Sequence, residues 1–152
     1  MILDLGAGAG FYTRLFLARG AREVTAVDSS PGMVEMLCAP GIIPILSDAA
    51  TVSLESRFKR IVCAGLLEFV QEPEAVLANA RRLASDHAWL VVLVPGSGLG
   101  GRAYRLFHRR HGIRIRLFSR DRLAELARET GWELRATVSA GPLAIAAGMQ
   151  LR

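Results

Sequence analysis

The sequence predicts an α/β fold in which a mostly parallel sheet is covered by helices on both faces. Three observations predict it. Met1 to Leu5 is an apolar run that passes into a glycine-rich turn, Gly6-Ala-Gly-Ala-Gly10, and then into near-helical spacing at Phe11, Leu15 and Leu17. Strand-like and helix-like patterns then alternate along the chain, as successive βαβ units require. Ala88 to Val94 is apolar throughout, the pattern of a central parallel strand buried on both faces.

The bulk properties bound the answer. With 152 residues and no internal repeat the chain is one domain. A chain of this size buries roughly 68–70% of its unfolded surface, so it needs no disulfide framework. Cys38 and Cys63 form no C-x-x-C, which points to a reducing cytoplasm. The longest apolar run, Ala88 to Val94, is too short to span a bilayer, and no signal-peptide pattern precedes the first strand. The net charge of +5 is almost wholly arginine, since Lys59 is the sole lysine. Arginine-rich codon usage accounts for that, and so does a negatively charged partner.

The glycines have separate tasks. Gly6 permits the turn, Gly8 lets a ligand approach the backbone, and Gly10 lets the following helix pack close to the strand. Unpaired N–H groups at that helix start favour a polar or anionic ligand group. Gly20 ends the helix. Arg22 to Val27 is the second strand and ends in Asp28, about twenty residues after the turn, where an acid meets a ribose. A carboxylate there accepts hydrogen bonds from two vicinal hydroxyls. The spacing Gly6-x-Gly8-x-Gly10 puts Phe11 where a dinucleotide site has glycine.

The stretch from Ile2 to Leu37, with Asp4, the three glycines, Asp28 and Ser29-Ser30-Pro31-Gly32-Met33, resembles motifs I and II of the class I, Rossmann-like S-adenosylmethionine-dependent methyltransferases, small-molecule type. The resemblance implies a three-layer sandwich with a seven-stranded sheet of order 3-2-1-4-5-7-6, strand seven antiparallel. It implies S-adenosylmethionine as cofactor, held by Asp4, Gly6, Ala7, Gly8, Gly10, Asp28, Ser29, Met33, Asp48, Ala49 and Cys63. The family normally carries a helical N-terminal segment before strand one. Met1 opens that strand directly, so residues 1–152 are read as a single methyltransferase domain lacking the segment.

The rest of the chain follows in order. Ser30 and Pro31 form a helix start, and the helix runs to about Cys38 before Pro40-Gly41 breaks it. Ile42 to Leu46 is strand three. Asp48 follows it, and the resemblance gives an acid there to the adenine amino group. A polar connection leads to strand four, Arg60 to Ala64, where small residues at 63–65 suit close approach of a methionine-like tail. Leu67-Glu68-Phe69-Val70 resembles a segment where many relatives carry Glu-His; Phe69 stands in place of that histidine. Glu72-Pro73 opens a helix with Ala75, Val76, Leu77, Ala80 and Leu83 inward. Ser85-Asp86-His87 is read as a turn into strand five, and Pro95 to Gly101 as a flexible linker.

Residues 95–118 form an insertion expected to shape the substrate site. Arg102, Arg105, Arg109, Arg110, Arg114 and Arg116 crowd it, with Tyr104, Phe107, His108 and His111 between them. Arg105 and Arg109 share a helix face, which suits an acidic substrate group and equally a solvated basic surface. His108-x-x-His111 lacks a cysteine or carboxylate partner and is a poor metal site, so no metal is expected. Ser119 caps a last helix, Arg120 to Thr130, ended by Gly131. Trp132 to Val138 and Leu143 to Gln150 close the sheet as a hairpin.

The implied reaction is methyl transfer to a small-molecule acceptor. Orientation of the two reactants does most of the work, and a base is needed only if the acceptor loses a proton early. Glu68, Tyr104, His108 and His111 are the candidate bases. The alternatives are a binding module without catalysis and a nicotinamide-dependent oxidoreductase. Phe11 and the closing hairpin argue against the second. Nucleic acid is disfavoured as acceptor, because Cys63-Ala64-Gly65-Leu66 is not the Asn/Asp-Pro-Pro-aromatic motif of such relatives.

Overall fold

The computed structural model describes residues 1–151. The elements run β1 (Ile2–Leu5), α1 (Phe11–Ala18), β2 (Val24–Asp28), α2 (Pro31–Met36), β3 (Ile42–Leu46), β4 (Phe58–Ala64), α3 (Pro73–Leu83), β5 (Ala84–Pro95), α4 (Leu99–Arg110), α5 (Arg120–Glu129), β6 (Glu133–Ala140) and β7 (Ala144–Gln150). The seven strands form one sheet of order β3-β2-β1-β4-β5-β7-β6. β1 to β5 pair in parallel, and β7 lies antiparallel to both β5 and β6. The order reverses at β1 and β4, so their carboxyl ends open a crevice, the usual ligand position in such sheets.

The main core lies between the sheet and the helices α3 and α5. Leu3, Leu5, Ile61, Leu90 and Met149 from the strands meet Val76, Leu77, Ala80, Leu123 and Leu126 from the helices, all essentially inaccessible. Each of these side chains larger than alanine contributes about 1.5–3 kcal/mol by leaving water. Trp132 joins this core and donates its indole N–H to the Leu77 carbonyl at 3.0 Å. Ser119 caps α5 as expected, its hydroxyl accepting the Arg122 N–H at 3.1 Å.

Several local expectations change. α2 ends at Met36 rather than Cys38, and the Ser30 hydroxyl makes no capping bond. The Ser30 backbone carbonyl accepts the Met33 N–H at 3.1 Å instead, while the Ser30 N–H donates to Asp28 Oδ1 at 2.9 Å. Ser85-Asp86-His87 is not a turn. The segment continues β5 through an irregularity between the Phe58–Ala84 and Arg60–Trp89 pairs, with His87 at φ 56°. β5 is not buried on both faces either, since Trp89 is 43% and Val91 41% exposed in an open groove with Ile2, Phe16 and Val62.

The glycines after β5 are not a flexible linker. A Cβ on Gly101 would sit 1.7 Å from the Gly96 carbonyl oxygen, and one on Gly100 would sit 2.2 Å from that of Pro142. Backbone passes backbone here, and only hydrogen fits. Gly96 also bridges in parallel to Phe118, which is 1% exposed, so both ends of the insertion are fastened to the sheet.

Candidate functional site

The site begins at the carboxyl end of β1. The Gly6 and Ala7 N–H groups donate to the Val27 carbonyl at 2.8 and 3.0 Å, folding the turn over β2. Gly8 then donates its N–H to Asp28 Oδ2 at 2.8 Å. The space where a Gly8 side chain would project is empty, whereas a Cβ on Gly10 would press 2.7 Å from Leu37. Gly8 thus faces the open crevice and Gly10 the packed interior. The Arg14 guanidinium donates to the carbonyls of Ala9 and Met36, tying the turn to the end of α2.

Asp4 lies beneath this turn, 2% exposed, and accepts the Thr13 hydroxyl at 2.6 Å. Burial pushes its carboxyl up to about 6; the Thr13 bonds oppose the shift and the Asp28 charge adds to it. Asp4 therefore anchors α1 from below. Asp28 offers both oxygens at the crevice, each using one lone pair on a backbone N–H, which leaves acceptor capacity for vicinal hydroxyls. Ser29 and Met33 are exposed beyond it.

Asp48 follows β3, exposed, with Oδ1 accepting the Ala50 N–H at 2.7 Å. Ala49 is buried beside it. The loop is held from an unexpected quarter: Asn79 of α3, 4% exposed, donates to the carbonyls of Ala49 and Val52 at 2.9 and 3.0 Å. Asn79 belongs to no motif. Its signal is a lone amide among Val76, Leu77, Ala80 and Leu83, since a polar side chain on a buried face needs buried partners.

At the carboxyl end of β4, the Cys63 side chain is fully buried, and burial together with the Glu68 and Asp4 charges pushes its thiol up. The thiol is thus closed to a ligand, while Ala64 and Gly65 beyond it are less buried. Past them lies a cavity of about 310 Å³, lined by Tyr12, Ala64, Gly65, Glu68, Leu93, Val94, Pro95, Tyr104, Leu143 and Ala144. That is the size and apolar character of a small-molecule pocket.

Glu68 is 5% exposed, and its Oε2 has no hydrogen-bond partner among the described residues. Burial pushes its carboxyl up to about 7. Tyr104 stands in the same lining, its phenol raised by burial and then by the Glu68 charge. His108 stacks edge-on behind Tyr104, ring centroids 4.4 Å apart, with Phe69 on it at 6.1 Å. His111 is exposed, its Nδ1 2.9 Å from the Phe107 carbonyl oxygen. Of the four candidate bases, the fold brings Glu68 and Tyr104 to the cavity, sets His108 behind them and leaves His111 outside.

The segment after α4 is tied to the backbone around Glu68. The Arg116 N–H donates to the Glu68 carbonyl at 2.9 Å and its guanidinium to that of Gln71 at 2.9 Å. Arg102, Arg105, Arg109, Arg110 and Arg114 are exposed, and the cavity lining includes no arginine or lysine. The acidic substrate group expected for Arg105 and Arg109 has no cation waiting in the cavity. Among the described residues no helix is long and apolar enough to cross a membrane.

Known proteins share this architecture. The 1,6-didemethyltoxoflavin-N1-methyltransferase of Burkholderia thailandensis, with 1,6-didemethyltoxoflavin and S-adenosylhomocysteine bound, aligns at 24% identity and TM-score 0.78, over 99% of this chain and 70% of its own. The magnesium protoporphyrin IX methyltransferase of Synechocystis, with S-adenosylhomocysteine bound, aligns at 17% and 0.76, over 100% and 74%. A methyltransferase dependent on S-adenosylmethionine from Thermotoga maritima aligns at 20% and 0.81, over 99% and 81%. At such identities the likeness establishes the fold. No curated protein matches the sequence at a significant level. The family model for the methyltransferase domain matches residues 1–137. With that match, the reversed strand order and the glycine turn on Asp28, the chain belongs to the methyltransferase domain family, of the class I, Rossmann-like, S-adenosylmethionine-dependent kind.

Proposed function

We propose that this chain methylates a small-molecule acceptor seated in the cavity under α4, with S-adenosylmethionine bound across the carboxyl ends of β1, β2 and β4. The observation that carries the reading is where the cavity lies. Its lining includes Tyr12, the second residue of α1 just past the glycine turn, and Ala64-Gly65, where β4 ends beside β1.

Asp28 would hold the ribose hydroxyls, the open backbone at Gly8 the amino-acid tail, and Asp48 and Ala49 the adenine. When bound, the cofactor supplies a methyl group already activated on a sulfonium. This chain's residues then orient an acceptor and exclude water. The apolar lining from Leu93, Val94, Pro95 and Leu143 serves that end, since a dry wall strengthens every polar contact inside. Phe11, 73% exposed where a dinucleotide turn has glycine, weighs against a nicotinamide cofactor. The unpaired Cys38 and Cys63 fit a reducing cytoplasm.

The test is incubation of the protein with methyl-labelled S-adenosylmethionine and fractionated small molecules from a cell extract. Label in a low-mass product supports the reading. Label in RNA or protein instead would refute the small-molecule acceptor. Cofactor binding with no transfer to any fraction would favour a binding module.

A further inference from the structure

Among the described residues Glu68 is the one charged group that lines the cavity; its own backbone N–H reaches the carboxyl, and one oxygen is left over. It is 5% exposed, yet Oε2 has no partner among the described residues. A buried carboxyl left unpaired costs free energy, so such a group persists where a ligand completes it. Its surroundings are organised to keep it in place. The Arg116 N–H holds the Glu68 carbonyl, and Gly65 approaches Oε1 with a bare backbone, its absent Cβ 3.9 Å away. The titratable groups around it are Tyr104 from α4, Tyr12 from α1, Cys63 from β4 and, behind Tyr104, the His108 imidazole; no arginine or lysine lines the cavity.

We infer that Glu68 selects and deprotonates the acceptor. The substrate class is a small, largely apolar molecule that offers a nucleophilic N–H or O–H, neutral or cationic, to the free Oε2; an anionic acceptor is rejected. This rests on the methyl-donor reading above and names the other half of the site. A cationic acceptor first passes an N–H proton to Glu68, which frees its lone pair; the nitrogen or oxygen lone pair then forms a bond to the methyl carbon, the carbon–sulfur electron pair returns to sulfur, and a neutral acceptor passes its N–H or O–H proton to Glu68 as that bond forms. The resulting carboxylic acid releases that proton to water when the product leaves. Burial supports the role, because a carboxyl raised to about 7 holds an acquired proton at neutral pH. Tyr104, its phenol raised and so protonated, adds a donor for the acceptor's far side.

The experiment uses three probes of one size: benzylamine, benzyl alcohol and benzoate. Each is titrated into the protein loaded with S-adenosylhomocysteine, with binding read from the Gly65 and Tyr104 amide resonances. The expected result is that benzylamine and benzyl alcohol bind at least about tenfold more tightly than benzoate. In Glu68→Gln that preference disappears, while S-adenosylhomocysteine affinity stays within about twofold of wild type. Benzoate binding as well as benzylamine would overturn the proposal, and so would the absence of all three from the cavity. A Glu68→Gln variant that loses S-adenosylhomocysteine would assign the acid to the cofactor's ammonium and overturn it too. Failure of the unaltered protein to bind S-adenosylhomocysteine would instead strike the methyl-donor reading itself. The wild-type probe series stands whether or not the variant folds.

Discussion

The Asp28 carboxylate accepts the Gly8 N–H at 2.8 Å, so the acid proposed to hold the ribose also shapes the glycine turn. Its other oxygen accepts the Ser30 N–H at 2.9 Å. One side chain at the end of β2 sets both loops that border the crevice.

Replacing it therefore removes more than a ligand contact. Asp28→Ala loses charge-assisted bonds worth about 1.5–3 kcal/mol, and S-adenosylhomocysteine affinity is expected to fall about 10- to 100-fold. Calorimetric titration reads this directly. Unchanged affinity would refute the ribose assignment.

Gly8 and Gly10 predict opposite failures. A side chain at Gly8 meets open space, so Gly8→Ala pays only the strain of a left-handed backbone, about 1–2 kcal/mol. Its methyl projects into the crevice, and cofactor affinity is expected to drop at least about tenfold in a folded protein. Gly10→Ala drives a methyl to 2.7 Å from Leu37, which is fully buried, and is expected to cost about 2–4 kcal/mol of stability. Urea unfolding beside binding separates the two. Equal loss of stability in both would contradict the division of labour.

Thr13→Val tests the anchor below the turn. It strips the Asp4 carboxylate of a 2.6 Å bond at a 2% exposed site, at an expected cost of about 1–3 kcal/mol. Asp4 titrates near 6, so the loss should be larger at pH 8, where the group is charged, than at pH 5. A loss independent of pH would mean that the threonine acts by packing alone.

Glu68 leaves a mark on the pH dependence of stability. Its carboxyl is raised from 4.5 to about 7, so the folded ligand-free state binds the proton more tightly than the unfolded chain. That contribution is present below about pH 4.5 and is lost as pH rises to and through 7. Glu68→Gln should flatten the decline between pH 5 and 8 and raise the relative stability at the upper end. An identical slope in both proteins would show that Glu68 ionises freely.

Much of this site is legible in the chain because its logic is local. The strand, turn and helix of residues 1–18 follow one another, and Asp28 ends the neighbouring strand, so spacing alone brings them together. The sheet order follows from the family resemblance, and the closing hairpin agrees with it. What sequence spacing misses is contact across distance. Asn79 reaches back about thirty residues to the Asp48 loop. Gly100 and Gly101 read as a linker, because nothing local reveals that Pro142 and Gly96 press against them. Ser30 reads as a cap, because a hydroxyl before proline suits one, and a pattern does not say that the Ser30 carbonyl rather than the hydroxyl meets the Met33 N–H. Residues 95–118 stand out in the sequence by their arginines, yet the cavity is lined by Tyr104 and Glu68, about a quarter of the chain apart.

The measurement that bears most directly on the whole account is calorimetric titration of the protein with S-adenosylhomocysteine, with NAD as control. The account predicts micromolar binding of S-adenosylhomocysteine and none of NAD. Binding of NAD alone, or of neither to a folded sample, would contradict it.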